Sequence, residues 1–454
     1  MTIETICSRI DHDSSKMIDG LRRLVRQPSV SAQGMGLREC ADLLMEMMVG
    51  AGLKAELLEV DGAPSFIYGE MKTSKLGEKR TVIFYNHYDV QPPEPLELWS
   101  SDPFAAEIRG GKMFGRGVSD NKADIVSRIN LVRIFEECEE LPCNVKFLME
   151  GEEEIGSTHL PTLIERDLDR FRSDACIWES GGLDEKDRPE ITLGMKGMLY
   201  VELEAQVASH DTHSSLAAVV GNPAWRLVWA LSAIKGEDER IKVPGWYDDV
   251  KEFTAEELRA LEEKPFEEEL IKEDLGLKEF LLHMSGLELK KALAGGPTAT
   301  ICGLVSGYSG SGSKTVLPSV ASAKLDFRLL PEQNPGALLE KLKSYLIGQG
   351  YGDIEVKPLT LEKAARTSLK EAIVHDAAEA AMQTFGKKAV ISISSAGTGP
   401  MNLFVDKLKT PSICIGCTHA FERSHAPDEN QRLDVFIQGT KWVARTLDLF
   451  GKGS

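Results

Sequence analysis

The 454-residue sequence has no apolar run long enough to cross a membrane. Its most apolar long stretch, 216–234, is interrupted by Asn222, Pro223 and Arg226, whereas a spanning helix needs about 20 nearly unbroken apolar residues. The basic excess that would favour a nucleic acid or an anionic membrane surface is missing too. There are 53 Lys and Arg against 71 Asp and Glu, a formal charge of −18, so neither partner is expected. Cysteines number only eight and are scattered. The single CxxC, Cys414-Ile-Gly-Cys417, has no second beside it, so buried small hydrophobes are preferred to a zinc ribbon or a redox pair. The first nineteen residues intersperse Glu4, Arg9, Asp11, Asp13 and Lys16 among short apolar pieces, which is not a signal-peptide core. The expectation is a soluble, cytoplasmic protein with reduced thiols.

What is present suits a globular chain: 42% hydrophobic and 27% charged residues exclude disorder, and the length suggests about three domains, or two with large insertions. In the first 190 residues, helical patterns at 14–24, 38–51 and 121–137 alternate with short apolar runs at 81–85 and 145–149. That alternation predicts an α/β sheet with helices on both faces. From about 191 the texture changes. Residues 199–205 and 322–329 alternate apolar and polar, as half-buried antiparallel strands do, with helices expected at 223–234 and 335–347. Between them, about 235–291 is dense in charge and reads as a solvated helical insertion. The α/β texture then returns, with helices at 368–384 and 434–450 and strands at 390–394 and 412–416. The predicted organisation is one α/β domain, 1–190 and 361–454, interrupted by a second domain, 191–360.

Five short segments concentrate His, Asp and Glu, four of them at expected strand ends or the turns after them, where open α/β sheets bind ligands. In Tyr85-Asn-His87-Tyr-Asp89, residues i and i+2 share a strand face, so His87 and Asp89 can serve one site, although a core histidine would look the same. Gly115-Arg-Gly117-Val-Ser-Asp120 places Asp120 at or before a helix start, where an N-cap is the plainer reading; the glycines match neither a P-loop nor a dinucleotide fingerprint. Glu150-Gly-Glu152-Glu153-Glu154 follows a buried run. Its mutual repulsion is relieved by solvent or by a divalent cation, with one of two adjacent glutamates left free to move a proton. Glu179 closes another apolar run, and His425 lies in a polar loop before the last helix. Two histidines and several carboxylates suit a pair of borderline divalent ions about 3.5–4 Å apart.

This ordered set, His87-x-Asp89, Gly-Arg-Gly-x-x-Asp120-x-Lys, Glu-Gly-x-Glu153-Glu154-x-Gly-Ser, Glu179 and Ser-His425-Ala-Pro, resembles the M20 family of co-catalytic metallopeptidases over nearly the whole chain. Ser309-Gly-Ser-Gly-Ser-Lys314-Thr315, Asp326-Phe-Arg328-Leu and the insertion after 235 resemble its carnosinase and Cys-Gly dipeptidase branch. The resemblance implies a zinc-peptidase-like catalytic domain, a mixed sheet flanked by helices, interrupted by a smaller α+β lid and dimerisation domain. It implies two divalent ions per subunit, Zn²⁺ with Mn²⁺ or Co²⁺ as alternatives. His87 and Glu179 would bind one ion, Glu154 and His425 the other, with Asp120 bridging and a cis peptide after it. Asp89 would orient His87, and Glu153 would be the general base. His213 would stabilise the oxyanion in a homodimer partner's site, with His210 a competitor. Thr315 and Arg328 would hold the carboxylate of a small peptide substrate, and Thr398 would line that pocket. Glu at 179, where the branch commonly has Asp, and Ser-Ser-Leu-Ala after His213 depart from the pattern and weaken the transfer of substrate preference. An N-acyl amino acid deacylase or carbamoylase is the alternative activity, and a non-catalytic dimeric scaffold the remote one.

Overall fold

In the computed structural model, which describes residues 2–74 and 79–453, the chain divides into two compact units. The first is Met1–Gly194, Arg366–Ile393 and Pro400–Ser454; the second is Met195–Ala365 with Ser394–Gly399. No helix among the described residues is long and apolar enough to cross a membrane.

The first unit is built on a mixed eight-stranded sheet. Its strands lie in the order Lys54–Leu58, Phe66–Met71, Asn144–Glu150, Thr81–His87, Ala175–Trp178, Ser412–Cys414, Glu190–Thr192 and Val390–Ser392. The four in the middle, from Asn144–Glu150 to Ser412–Cys414, run parallel, so their carboxyl ends share one edge. Ala175–Trp178 is buried throughout and Thr81–His87 in all but its first residue, as expected of near-continuous apolar runs covered on both faces. Ala123–Glu137 is almost wholly buried; the long final helix Leu433–Lys452 repeats Phe436, Val443, Leu447 and Phe450 along its buried side and packs with Ala372–Phe385. The expected α/β fold, a mixed sheet flanked by helices, is what forms. One helix starts later than its pattern suggests. Residues 118–122 form a separate irregular turn in which Asp120 and Asn121 have non-helical dihedrals, and the Asp120–Asn121 peptide is cis.

The second unit is smaller and antiparallel. Its strands Thr298–Ser306, Val320–Leu329, Gly197–Gln206 and Glu355–Glu362 lie side by side in that order. Along the chain, helix Pro223–Ile234 follows the first strand and helix Pro335–Gly348 precedes the last, a β-α-β-β-α-β arrangement. Gly197–Gln206 alternates buried residues with half-buried ones and ends on the exposed Gln206, because only one face meets the helices and their core of Leu227, Leu338, Leu342 and Trp246. The charged stretch 235–291 contributes Ala255–Glu263, opened by a Thr254/Glu257 capping box, and Glu268–Leu275, both largely exposed, and runs into Gly286–Gly295, which is mostly half-buried. Residues Ser394–Gly399 also group with this unit, where the Lys196 N–H donates to Gly397 O at 3.0 Å.

Candidate metal centre

The carboxyl edge of the parallel strands collects the acidic and imidazole groups. His87 ends Thr81–His87, Glu179 follows Ala175–Trp178, and Glu153 and Glu154 lie in the tight turn after Asn144–Glu150. Asp120 comes from the turn before Ala123–Glu137, and His425 from the loop before Asn430–Arg432. His425 is held at φ 61°, a left-handed conformation that a non-glycine residue keeps only where its surroundings impose it.

Asp120 lies between the two histidines. Its Oδ1 is 3.0 Å from His87 Nε2 and its Oδ2 is 3.2 Å from His425 Nε2. His425 Nε2 is also 3.1 Å from Glu154 Oε2, and His87 Nε2 is 3.6 Å from Glu179 Oε2. Ligand atoms from His87, Asp120 and Glu154, and from His87, Glu153 and Glu179, lie within 4.8 Å of one another. Two ligands on a tetrahedral ion with bonds of about 2.0–2.1 Å sit about 3.3 Å apart, so these separations fit shared cations. Glu179 Oε2 is buried without a hydrogen-bond partner, and a cation there would satisfy it. Among the described residues, no lysine or arginine pairs with Asp89, Asp120, Glu153, Glu154 or Glu179.

The electrostatics express the same surplus of negative charge. Burial pushes the Glu153 carboxyl up to about 8; His87 opposes this, and Glu154, Asp120 and Asp89 add to it. Burial also raises Glu179 well above the usual carboxylate range. Hydrogen bonds to Asp120 and Glu154 raise His425 to about 10 against the cost of its burial. For Asp120, burial alone would raise the carboxyl, but hydrogen bonds from His425 and His87 outweigh it and hold it low. A divalent cation would replace these protons as the compensating charge.

The acidic run after Asn144–Glu150 is sorted by partner. Glu150 accepts from Tyr85 Oη at 2.5 Å, and Glu152 takes the His159 N–H at 2.6 Å and contacts His159 Nδ1 at 2.8 Å. That leaves Glu153 and Glu154 for the centre. Asp89 positions both: its two oxygens accept the N–H groups of Glu153 at 3.1 Å and Glu154 at 3.0 Å. Its relation to His87 is looser, because Nδ1 lies 3.0 Å from the Asp89 carbonyl oxygen and 3.5 Å from its carboxylate.

Supporting residues that the motifs did not single out complete the scaffold. Gln91 donates to Glu154 Oε2 at 2.9 Å. Arg128, fully buried, donates to Tyr85 O, Asn86 Oδ1 and Trp178 O at 2.9, 2.8 and 2.6 Å and so ties the ends of the His87 and Glu179 strands together; Asn86 in turn donates to Asn121. Glu429 accepts from the turn that carries Asp120. Glu429 stood within the Ser-His-Ala-Pro-Asp-Glu string, but nothing in a string says that its partner is some 310 residues away.

The remaining candidates belong to the second unit and form two pairs. His213 Nε2 lies 3.3 Å from Thr315 Oγ1, and its Nδ1 accepts the Ser215 N–H at 3.1 Å; both ends of this pair are exposed. Arg328 donates to Thr398 Oγ1 at 2.7 Å and to Asp326 Oδ2 from Nε at 3.1 Å. His210 is exposed, with its Nδ1 3.0 Å from Ser209 Oγ. Cys414 and Cys417 are buried free thiols, raised by burial, and belong to none of the metal-ligand groups found among the described residues.

An open α/β sheet with imidazoles and carboxylates gathered at its carboxyl edge, and a buried glutamate beside them, defines a metal-dependent hydrolase. The profile of peptidase family M20/M25/M40 matches residues 83–449, and the chain belongs to that family. Human Beta-Ala-His dipeptidase is 30% identical over 362 residues, 76% of this chain and 71% of that protein. The Cys-Gly metallodipeptidase of Schizosaccharomyces pombe is 29% identical over 365 residues, 76% of each. Among solved structures, an M20 family metallo-carboxypeptidase from Sulfolobus solfataricus superposes with a TM-score of 0.90 at 38% identity, covering 96% of this chain and 99% of that one.

Proposed function

We propose that this chain hydrolyses the peptide bond of dipeptides or short peptides carrying a free C-terminal carboxylate, using two divalent ions per subunit. One observation carries the reading: the two oxygens of Asp120 each face a different histidine, and each histidine has a further carboxylate beside it. On this reading His87 and Glu179 hold one ion, Glu154 and His425 the other, and Asp120 spans them. The dipeptidase names of the relatives support the substrate class.

The ions would supply Lewis-acid polarisation of the scissile carbonyl and acidification of water. The chain's own residues do the rest. Glu153, half-buried in the turn after Asn144–Glu150 and grouped with His87 and Glu179, takes the proton of the attacking water and returns it to the leaving amine, help worth about 10²–10⁴-fold. Asp89 holds the Glu153 and Glu154 backbone so that neither carboxylate drifts. In the second unit Arg328, its guanidinium fixed by Asp326 and Thr398, receives the substrate carboxylate with Thr315. His213 donates to the oxyanion of a partner subunit, an interaction worth about 3 kcal/mol.

A homodimer through the second unit is part of the proposal. Helix Pro223–Ile234 leaves Trp225, Val228 and Trp229 exposed, and edge strand Thr298–Ser306 exposes Ile301, Leu304 and Val305, a surface suited to a second copy. Eight free cysteines, most of them buried, suit a reducing cytoplasm.

The test is turnover of a dipeptide panel by metal-stripped protein reloaded in turn with Zn²⁺, Mn²⁺ and Co²⁺, with N-acetyl amino acids alongside. Restored dipeptide cleavage is expected, and Zn²⁺ is the expected working ion, with Mn²⁺ or Co²⁺ as substitutes. Restoration on the acylated substrates alone would move the activity to the deacylases.

A further inference from the structure

We propose that Glu429 is the positioning residue that couples the Asp120 turn to the His425 loop and thereby fixes the second ion; this rests on the two-ion reading above. Glu429 is 1% exposed. Its Oε2 accepts from Arg116 Nη1 at 2.9 Å and Gly117 N at 2.8 Å, and its Oε1 from Ser119 N at 3.0 Å and Asp120 N at 3.1 Å. Its backbone carbonyl accepts from Gly115 N at 3.0 Å. Five donors from residues 115–120 therefore converge on one residue, and both lone-pair sites of each carboxylate oxygen are used.

This arrangement accounts for the irregular turn. The N–H groups of Gly117, Ser119 and Asp120 are taken by a side chain from a distant segment rather than left as the open donors of a helix start. Displacing Asp120 means breaking several buried, charge-assisted bonds together. Four residues before Glu429 stands His425, whose Nε2 faces Asp120 Oδ2 and Glu154 Oε2. Glu429 thus sets both the shared carboxylate and the loop that brings the last imidazole. The other half of the centre shares only Asp120 with it: His87 and Glu179 come from the ends of adjacent strands tied by Arg128, not from a segment that Glu429 holds. The two ion positions are consequently unequal, and loss of Glu429 loosens the His425 side first.

The substitution Glu429→Gln keeps the volume but turns an amide N–H₂ toward backbone N–H groups. Metal content per chain is measured during titration with a graded chelator, together with the visible absorption of the Co²⁺-loaded protein. The wild type is expected to hold two ions. Glu429→Gln is expected to keep one and to bind the second about 10–100-fold more weakly, with a changed Co²⁺ spectrum. Leu447→Ala, in the core of the same unit, should lower the melting temperature without changing either readout. Release of the two ions by Glu429→Gln as in the wild type, or loss of both together, overturns the proposal. Should Glu429→Gln not fold, Arg116→Lys is expected to give the same ordered release to a smaller degree, and wild-type release in it counts equally against the proposal. A wild-type chain that takes up fewer than two ions defeats the two-ion reading itself, and the proposal with it.

Discussion

The two units hold their polar residues in opposite ways. In the first, the centre is braced by buried or half-buried neighbours: Asp89 grips the Glu153–Glu154 backbone, Gln91 grips Glu154, and Arg128 joins the strand ends. In the second, His213 and Thr315 touch each other at the surface, and Arg328 is 28% exposed along its side chain. The first is organised for chemistry before substrate arrives, since fixed dipoles need no rearrangement during reaction. The second leaves hydrogen-bonding capacity open, which suits the recognition role proposed for it.

Perturbations on the two sides should therefore read out differently. The largest effect is expected from Glu153→Gln, which should lower kcat by about 10²–10⁴-fold with metal content unchanged; surviving turnover would place the base elsewhere. Next, His213→Ala should lower kcat by about 10²–10³-fold with full metal content. Mixing it with Glu153→Gln chains should restore part of the activity if His213 serves a partner, and no restoration would confine it to its own subunit. Asp89→Asn leaves two buried N–H groups with one acceptor, and metal affinity should fall about 10–100-fold, measured by chelator competition. The smallest change is Arg328→Lys. KM for a dipeptide should rise about tenfold with kcat nearly kept, while the C-terminally amidated peptide should be indifferent. Loss of metal in Arg328→Lys would erase the contrast between the units.

The legible part of the site was the part written in local periodicity. Apolar β-rich runs stop at His87, before Glu153 and at Glu179, so residues at the sheet's carboxyl edge could be picked out from the string. Strands Lys54–Leu58 and Phe66–Met71 were harder, the first being an edge strand with little burial to mark it. The helical pattern from 121 overran its start because the turn before it answers to Glu429, not to its own sequence. Glu150 and Glu152 looked equal to Glu153 and Glu154 until Tyr85 and His159 were seen to claim them.

The insertion of one unit within the other also imposes an order on synthesis. Nearly all of the second unit is one contiguous stretch, Met195–Ala365, with contacts that can close once that stretch has emerged. The first unit cannot finish its sheet then, because Ser412–Cys414 must slot between Ala175–Trp178 and Glu190–Thr192. A chain emerging at about 5–20 residues per second thus carries an incomplete sheet for roughly ten to forty-five seconds while the later-encoded unit matures. His425 emerges later still, so the proposed ligand set is complete only after the whole of the stretch Met195–Ala365 has been made.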